Sequence, residues 1–125
     1  MTPTDRKYTK NHCWLLIEDG LAKIGITDHA QKALGEIVFV KFPKVGQEVK
    51  ACDAFASVES VKTISSIYSP LTGKVALVND ALDDAPEQIN SDPYASYIAA
   101  FSIIEVDESA LLSAEEYDAF AQAGE

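Results

Sequence analysis

The sequence predicts a mainly β domain, a small sandwich or barrel with helix at two places. Three observations predict it. Short runs rich in β-branched and aromatic residues recur along the chain, Asp-Gly and Pro/Gly turn signals separate them, and a helix-start signature stands near the C-terminal end.

Each element has its own reason. Cys13 to Glu18 and Leu21 to Ile26 are apolar runs about Asp19-Gly20, a dipeptide that tolerates the positive φ of a two-residue hairpin turn. Thr27 or Asp28 can cap a short helix through Leu34, and Gly35 ends it. Glu36 to Lys41 alternates, with Ile37 and Phe39 on one face and Val38 and Val40 on the other, so both faces can be covered. Phe42-Pro43-Lys44-Val45-Gly46 breaks that strand. Ala54 to Val58 and Ile64 to Tyr68 flank a hairpin, closed by the turn-prone Ser69-Pro70-Leu71-Thr72-Gly73. Lys74 to Val78 is a further strand, Asn79 to Pro93 an acidic loop, and Tyr97 to Val106 the last strand. Ser113-Ala114-Glu115-Glu116 is a capping box opening the terminal helix, with Tyr117 and Phe120 as its buried stripe.

Length and charge exclude several classes. The 125 residues are expected to form one domain, residues 1–125, able to build a modest core without metal or disulfide. A hydrophobic fraction of 47% argues against disorder. The net charge of −10 repels phosphate backbones and anionic lipid, so neither nucleic acid nor a membrane surface is expected as partner. No apolar stretch reaches membrane-span length, and Met1 to Lys7 has no apolar signal core, so a cytoplasmic protein is expected. It is also expected to be a monomer. Cys13 and Cys52 have no metal-like spacing and are expected to be reduced.

Glu59-Ser60-Val61-Lys62-Thr63 is the most informative segment. It sets Lys62 near the crest of the hairpin, with its ammonium in water. Around it, Tyr8-Thr9-Lys10-Asn11-His12, Ile24-Gly25-Ile26-Thr27-Asp28-His29-Ala30-Gln31, Leu34-Gly35-Glu36-Ile37-Val38-Phe39-Val40, Tyr68-Ser69-Pro70, Ile89-Asn90 and Asp92-Pro93-Tyr94 follow in order. Together these residues resemble the H proteins of the glycine cleavage system, from about Tyr8 to Phe120.

That resemblance implies a mainly β barrel-sandwich hybrid of the lipoyl/biotinyl carrier type, with a short helix near 28–34 and a C-terminal helix. It implies that Lys62 carries a covalent lipoyl group, and that Glu59, Ser60, Val61 and Thr63 frame it for a lipoate ligase or a lipoyl/octanoyl transferase. An exposed lysine is almost wholly protonated at neutral pH and does not acylate itself, so such an enzyme is needed. The implied role is a non-catalytic carrier, moving aminomethyl cargo and reducing equivalents among glycine decarboxylase, aminomethyl transferase and dihydrolipoyl dehydrogenase. The dithiolane exchanges by thiol–disulfide chemistry, and the tether makes each transfer nearly intramolecular.

Rival readings fit less well. Biotinyl carriers resemble Met-Lys-Met at the hairpin, and acyltransferase lipoyl domains Asp-Lys-Ala, whereas here Val61 and Thr63 flank Lys62. A hydrolase built on His12 and Cys13 is disfavoured because consecutive strand residues point to opposite faces. Asp80, Asp83, Asp84 and Glu87 lack the spacing of a calcium loop, and no metal is expected.

The departures from the family concern the cargo. Asn11, Cys13 and Ser66 are the candidate arm-docking cleft; the family usually carries glutamate in place of Cys13 and aspartate in place of Ser66. Those carboxylates suit an amine-bearing cargo. A third departure is Ala95-Ser96-Tyr97-Ile98, where a Gly-rich turn and Trp are expected. The alternative is therefore an H-protein-like lipoyl carrier of another pathway, such as sulfur oxidation, lipoyl relay or protein modification. Cys13 is read first as a buried packing thiol and second as a partner for a mixed disulfide with the arm.

Overall fold

A computed structural model describes residues 2–106 and 108–123. In chain order the strands are β1 (Lys7–Tyr8), β2 (Cys13–Glu18), β3 (Leu21–Ile26), β4 (Ile37–Lys41), β5 (Glu48–Val49), β6 (Ala54–Ser60), β7 (Ile64–Tyr68), β8 (Leu71–Val78) and β9 (Ala99–Val106). The α-helices are α1 (Asp28–Leu34), α2 (Ala81–Asp84), α3 (Gln88–Ser91) and α4 (Ala114–Ala123).

The strands pair antiparallel into a six-stranded sheet, ordered β1-β2-β3-β9-β8-β5, and a three-stranded sheet, ordered β4-β6-β7. Their inner faces share one core. Leu15, Ile24, Val75 and Phe101 come from the larger sheet, and Ile37, Val40, Phe55, Val58 and Ile67 from the smaller. Phe55 and Phe101 meet edge to face across the two sheets with ring centroids 5.0 Å apart. Each such buried side chain stabilises the fold by about 1.5–3 kcal/mol relative to exposure. The mainly β barrel-sandwich expectation therefore holds, including the helix at 28–34 and the C-terminal helix.

The two-residue period of β2 builds a second cluster. Cys13 and Leu15 point into the main core, while Trp14 points out to meet Tyr8, Ala114, Tyr117 and Ala121, which seats α4. Trp14 lies opposite Gly25 in register. A Cβ at Gly25 would stand 2.5 Å from the indole, so only glycine leaves room.

Several local expectations hold in detail. Asp19 and Gly20 take φ of 55° and 78°, closing the β2–β3 hairpin. Thr27, rather than Asp28, caps α1 by accepting from Ala30 N–H. Ser113 and Glu116 form the reciprocal capping box, at 2.9 and 3.2 Å.

Four expectations are corrected. A bulge between Ile37 and Phe39 breaks the alternation of β4, so Ile37 and Val40 are buried while Val38 and Phe39 are exposed. Strand β8 begins at Leu71, because Leu71 and Thr72 already pair with Val106 and Glu105. The acidic segment after Asn79 contains α2 and α3, each burying one apolar residue, Leu82 and Ile89. His12 is not a strand residue: it sits at φ 63° in the turn before β2.

Candidate functional site

The site begins with the pairing of β6 and β7. Glu59 lies opposite Ile64, and Ser60-Val61-Lys62-Thr63 spans the crest. Ser60 is 6% exposed and organises that crest. Its Oγ accepts the backbone N–H groups of Lys62 and Thr63, each at 3.1 Å, while Ser60 N–H donates to Thr63 O at 2.8 Å. Serine is suited to this because its short hydroxyl can satisfy amides that a tight turn leaves unpaired. Lys62 and Val61 remain exposed.

The crest rests on the α1–β4 turn. Val61 N–H donates to Glu36 O at 3.0 Å. Gly35, at φ 85°, ends α1 and donates to Gln31 O at 2.9 Å. The Lys62 side chain passes over Gly35, its Cε 3.2 Å from where a Cβ would stand. Glycine is favoured here by the positive φ, and an added Cβ would crowd the lysine stem.

Helix α3 holds that turn from below. Asn90 Oδ1 accepts from Ile37 N–H at 2.8 Å, and Asn90 Nδ2 donates to Gly35 O at 2.8 Å and to Gln31 Oε1 at 2.9 Å. Gln31, Gly35, Glu36, Ile37, Val38, Pro86, Glu87 and Asn90 line a shallow groove of about 800 Å³ beside the lysine. Sequence reasoning gave no site role to Gly35, Gln31 or Asn90. The Ile89-Asn90 pair stood out, but a side-chain amide's partners are set by tertiary folding.

Around Lys62 the outer face of the small sheet is bare. Phe39, Glu59 and Ile64 form one cross-strand row, and Lys41, Ser57 and Ser66 the next. Phe39, Ile64 and Val61 are 51%, 66% and 65% exposed, so an apolar patch carrying Glu59 borders the lysine.

The three residues of the candidate docking cleft lie in different surroundings. Asn11 is exposed in the turn before β2 and lines a cavity of about 310 Å³ with Cys52, Tyr68 and Leu111. Cys13 is 1% exposed within the core, and its Sγ donates weakly to Asn11 O at 3.9 Å. Burial pushes its thiol up to about 12, with hydrogen bonds from Thr9 and the Tyr68 backbone acting the other way. Ser66 is exposed on β7 and lines a separate cleft of about 390 Å³ with Lys41, Phe42 and Ser57. Tyr68, two positions along β7 from Ser66, borders the Asn11 cavity.

His12 and Cys13 face apart. His12 Nδ1 meets the Tyr117 hydroxyl at 2.6 Å, and its ring stacks on His29 at 4.6 Å between centroids. Among the described residues, no group of three or more His, Cys, Asp or Glu side chains is placed to hold a metal ion. No helix among them is long and apolar enough to cross a membrane.

Comparison with known proteins adds independent ground. Residues 6–124 match the family model described as Glycine cleavage H-protein. A glycine cleavage system H protein of Oceanobacillus iheyensis is 51% identical over 122 residues, 96% of this chain and 97% of that protein. One from Bacillus velezensis is 47% identical over 123 residues, 97% of each chain. The crystal structure of a glycine cleavage system H protein from Mycobacterium marinum superposes with a TM-score of 0.88 at 39% identity, covering 98% of this chain and 99% of that one.

Proposed function

The chain belongs to the glycine cleavage H-protein family, and from that premise we propose that it is a non-catalytic carrier whose working residue is Lys62. The observation that carries the reading is the exposed lysine on a crest whose backbone is held by the Ser60 hydroxyl and the Glu36 carbonyl. The residues fit a lipoyl group: the stem lies against Gly35, where an added Cβ would crowd it, and the amine projects at the surface.

Each part of the chain has a task in this reading. Ser60 fixes the turn and Val61 anchors it to Glu36, so a lipoate ligase or transferase meets one conformation rather than an ensemble. Lys62 Nζ, once deprotonated in that enzyme's site, attacks the activated acyl carbon; the amide C–N bond forms, the activating group leaves, and the amine proton passes to solvent. When bound, the lipoyl group supplies a disulfide that accepts electrons and a cargo on sulfur. The apolar patch of Phe39, Val61 and Ile64, with Glu59 inside it, is the face a partner enzyme must cover to reach the arm.

Within this reading the partners are glycine decarboxylase, aminomethyl transferase and dihydrolipoyl dehydrogenase, and the cargo is aminomethyl. The second reading, a lipoyl carrier of another pathway, is favoured by one observation. Cys13 is a buried neutral thiol and Ser66 an exposed hydroxyl, so neither offers a carboxylate to an amine-bearing load. Glycine–bicarbonate exchange, reconstituted with the lipoylated chain, decides between them. Exchange at the level of another H protein supports aminomethyl cargo. Its absence, with partial recovery in the Cys13→Glu/Ser66→Asp double variant, supports the second reading.

A further inference from the structure

Asn90 has no binding or carrier role assigned to it, yet its carboxamide makes three hydrogen bonds, to α1, to the turn after it and to the start of β4. Its Oδ1 takes Ile37 N–H at the start of β4, and its two N–H groups go to Gly35 O and to Gln31 Oε1 on α1. Both ends of the α1–β4 connection are thereby fixed by one side chain. Between them lies Glu36, whose carbonyl takes Val61 N–H from the hairpin crest, and Gly35, across which the Lys62 stem passes.

We propose that Asn90 is a positioning residue for acylation of Lys62, acting through the Gly35-Glu36 turn on which the lysine crest rests; this deepens the carrier reading and rests on it. The orientation of the amide follows from its partners. Reversal would set an NH₂ group against the Ile37 N–H and an oxygen against two acceptors. Gln31 is locked in turn, because its own Nε2 donates to Asp28 Oδ1 at 2.7 Å and cannot also turn toward residue 90. An aspartate at position 90 keeps the shape and the acceptor but loses both donors. Gly35 O and Gln31 Oε1 then face a carboxylate, and the turn is pushed away from α3.

The consequence concerns recognition and not chemistry. A turn that samples other positions lowers the fraction of molecules presenting Lys62 in the form a ligase accepts, and apparent affinity falls by that fraction. Once docked, the ligase holds the crest itself. The expected signature is a KM raised roughly tenfold with kcat nearly unchanged.

The test uses the unmodified full chain as substrate for a purified lipoate ligase supplied with lipoate and ATP. KM and kcat are measured for wild type, Asn90→Asp and Gln31→Leu, alongside amide hydrogen exchange at Val61. Asn90→Asp should show the KM rise and faster exchange at Val61; Gln31→Leu, which removes one of the three bonds, should show a smaller change of the same kind. Unchanged KM and unchanged Val61 exchange in whichever variants fold would overturn the proposal, and Gln31→Leu decides alone if Asn90→Asp does not fold. A fall in kcat with KM constant also overturns it. Wild type that takes up no lipoyl group at all instead refutes the carrier reading, so the two failures are distinguishable.

Discussion

Val61 donates its backbone N–H to the carbonyl of Glu36 at 3.0 Å, a bond between the crest of one hairpin and the turn that follows α1. A hairpin tip of this length is ordinarily among the freest parts of a β protein. Here that single bond, with the Ser60 hydroxyl inside the turn, makes the base of Lys62 part of the scaffold, while its side chain remains free to bear an arm.

Replacing Ser60 by alanine should therefore loosen the crest without unfolding the sandwich. Two amides lose their protein partner, those of Lys62 and Thr63, but both are near enough to water to be resatisfied. The expected cost is about 1 kcal/mol, or a Tm lower by about 4 °C for a domain of this size. Hydrogen exchange at these two amides should accelerate. Unchanged exchange would show that Ser60 does not organise the turn.

A directional chain of hydrogen bonds makes stability depend on pH. Ala30 N–H donates to Thr27 Oγ1, the Thr27 hydroxyl can donate to the Tyr117 oxygen, and the Tyr117 hydroxyl can donate to a neutral His12 Nδ1. Protonating His12 puts a donor on Nδ1 and reverses the chain, leaving the fully buried Thr27 hydroxyl proton without an acceptor in it. Burial, and then the stacked His29, lower the His12 pKa. Asp28, Lys32, Tyr94 and Asp118 share the adjoining cleft with His29 and Tyr117. Below the ordinary histidine value of about 6.5 the unfolded chain takes up a proton that the folded chain refuses, so stability falls as pH drops. The fall should stop below the depressed folded value, with a slope from this group of at most about 1.4 kcal/mol per pH unit. His12→Asn, which suits the left-handed backbone, should flatten that part of the urea-midpoint profile; an unaltered profile would assign the slope elsewhere.

The two cysteines should differ sharply toward a thiol reagent. Cys52 is exposed, whereas Cys13 is buried with its thiol pushed up to about 12. One thiol should react quickly in the native protein and the second only on unfolding. Rapid reaction of Cys13 in the native protein would restore a mixed disulfide between Cys13 and the arm as a live possibility.

What was legible in the sequence was whatever is encoded locally. Asp19-Gly20 carries its own turn geometry, and Ser113 and Glu116 cap one another within a few residues. The exposed hairpin lysine was legible for the same reason, since its flanks are β-prone and its crest polar. The β4 bulge was not, because it arises from pairing with β6 and leaves no mark in an alternating run. Strands β1 and β5, of two residues each, are defined by their partners alone. The role of Asn90 was hidden because its three partners lie more than fifty residues away, on α1, on β4 and in the turn between them. Motif resemblance marked Asn11, Cys13 and Ser66 as neighbours of one cleft, but burial and cavity lining are properties of the assembled sheets.

The most direct test of the account is the intact mass of the full chain expressed in a lipoylation-competent host supplied with lipoate, beside Lys62→Arg. Wild type should gain the mass of one lipoyl group, mapped by peptide fragmentation to Lys62, and Lys62→Arg should gain none. A group found on another lysine, or no mass gain in folded wild type, would contradict it.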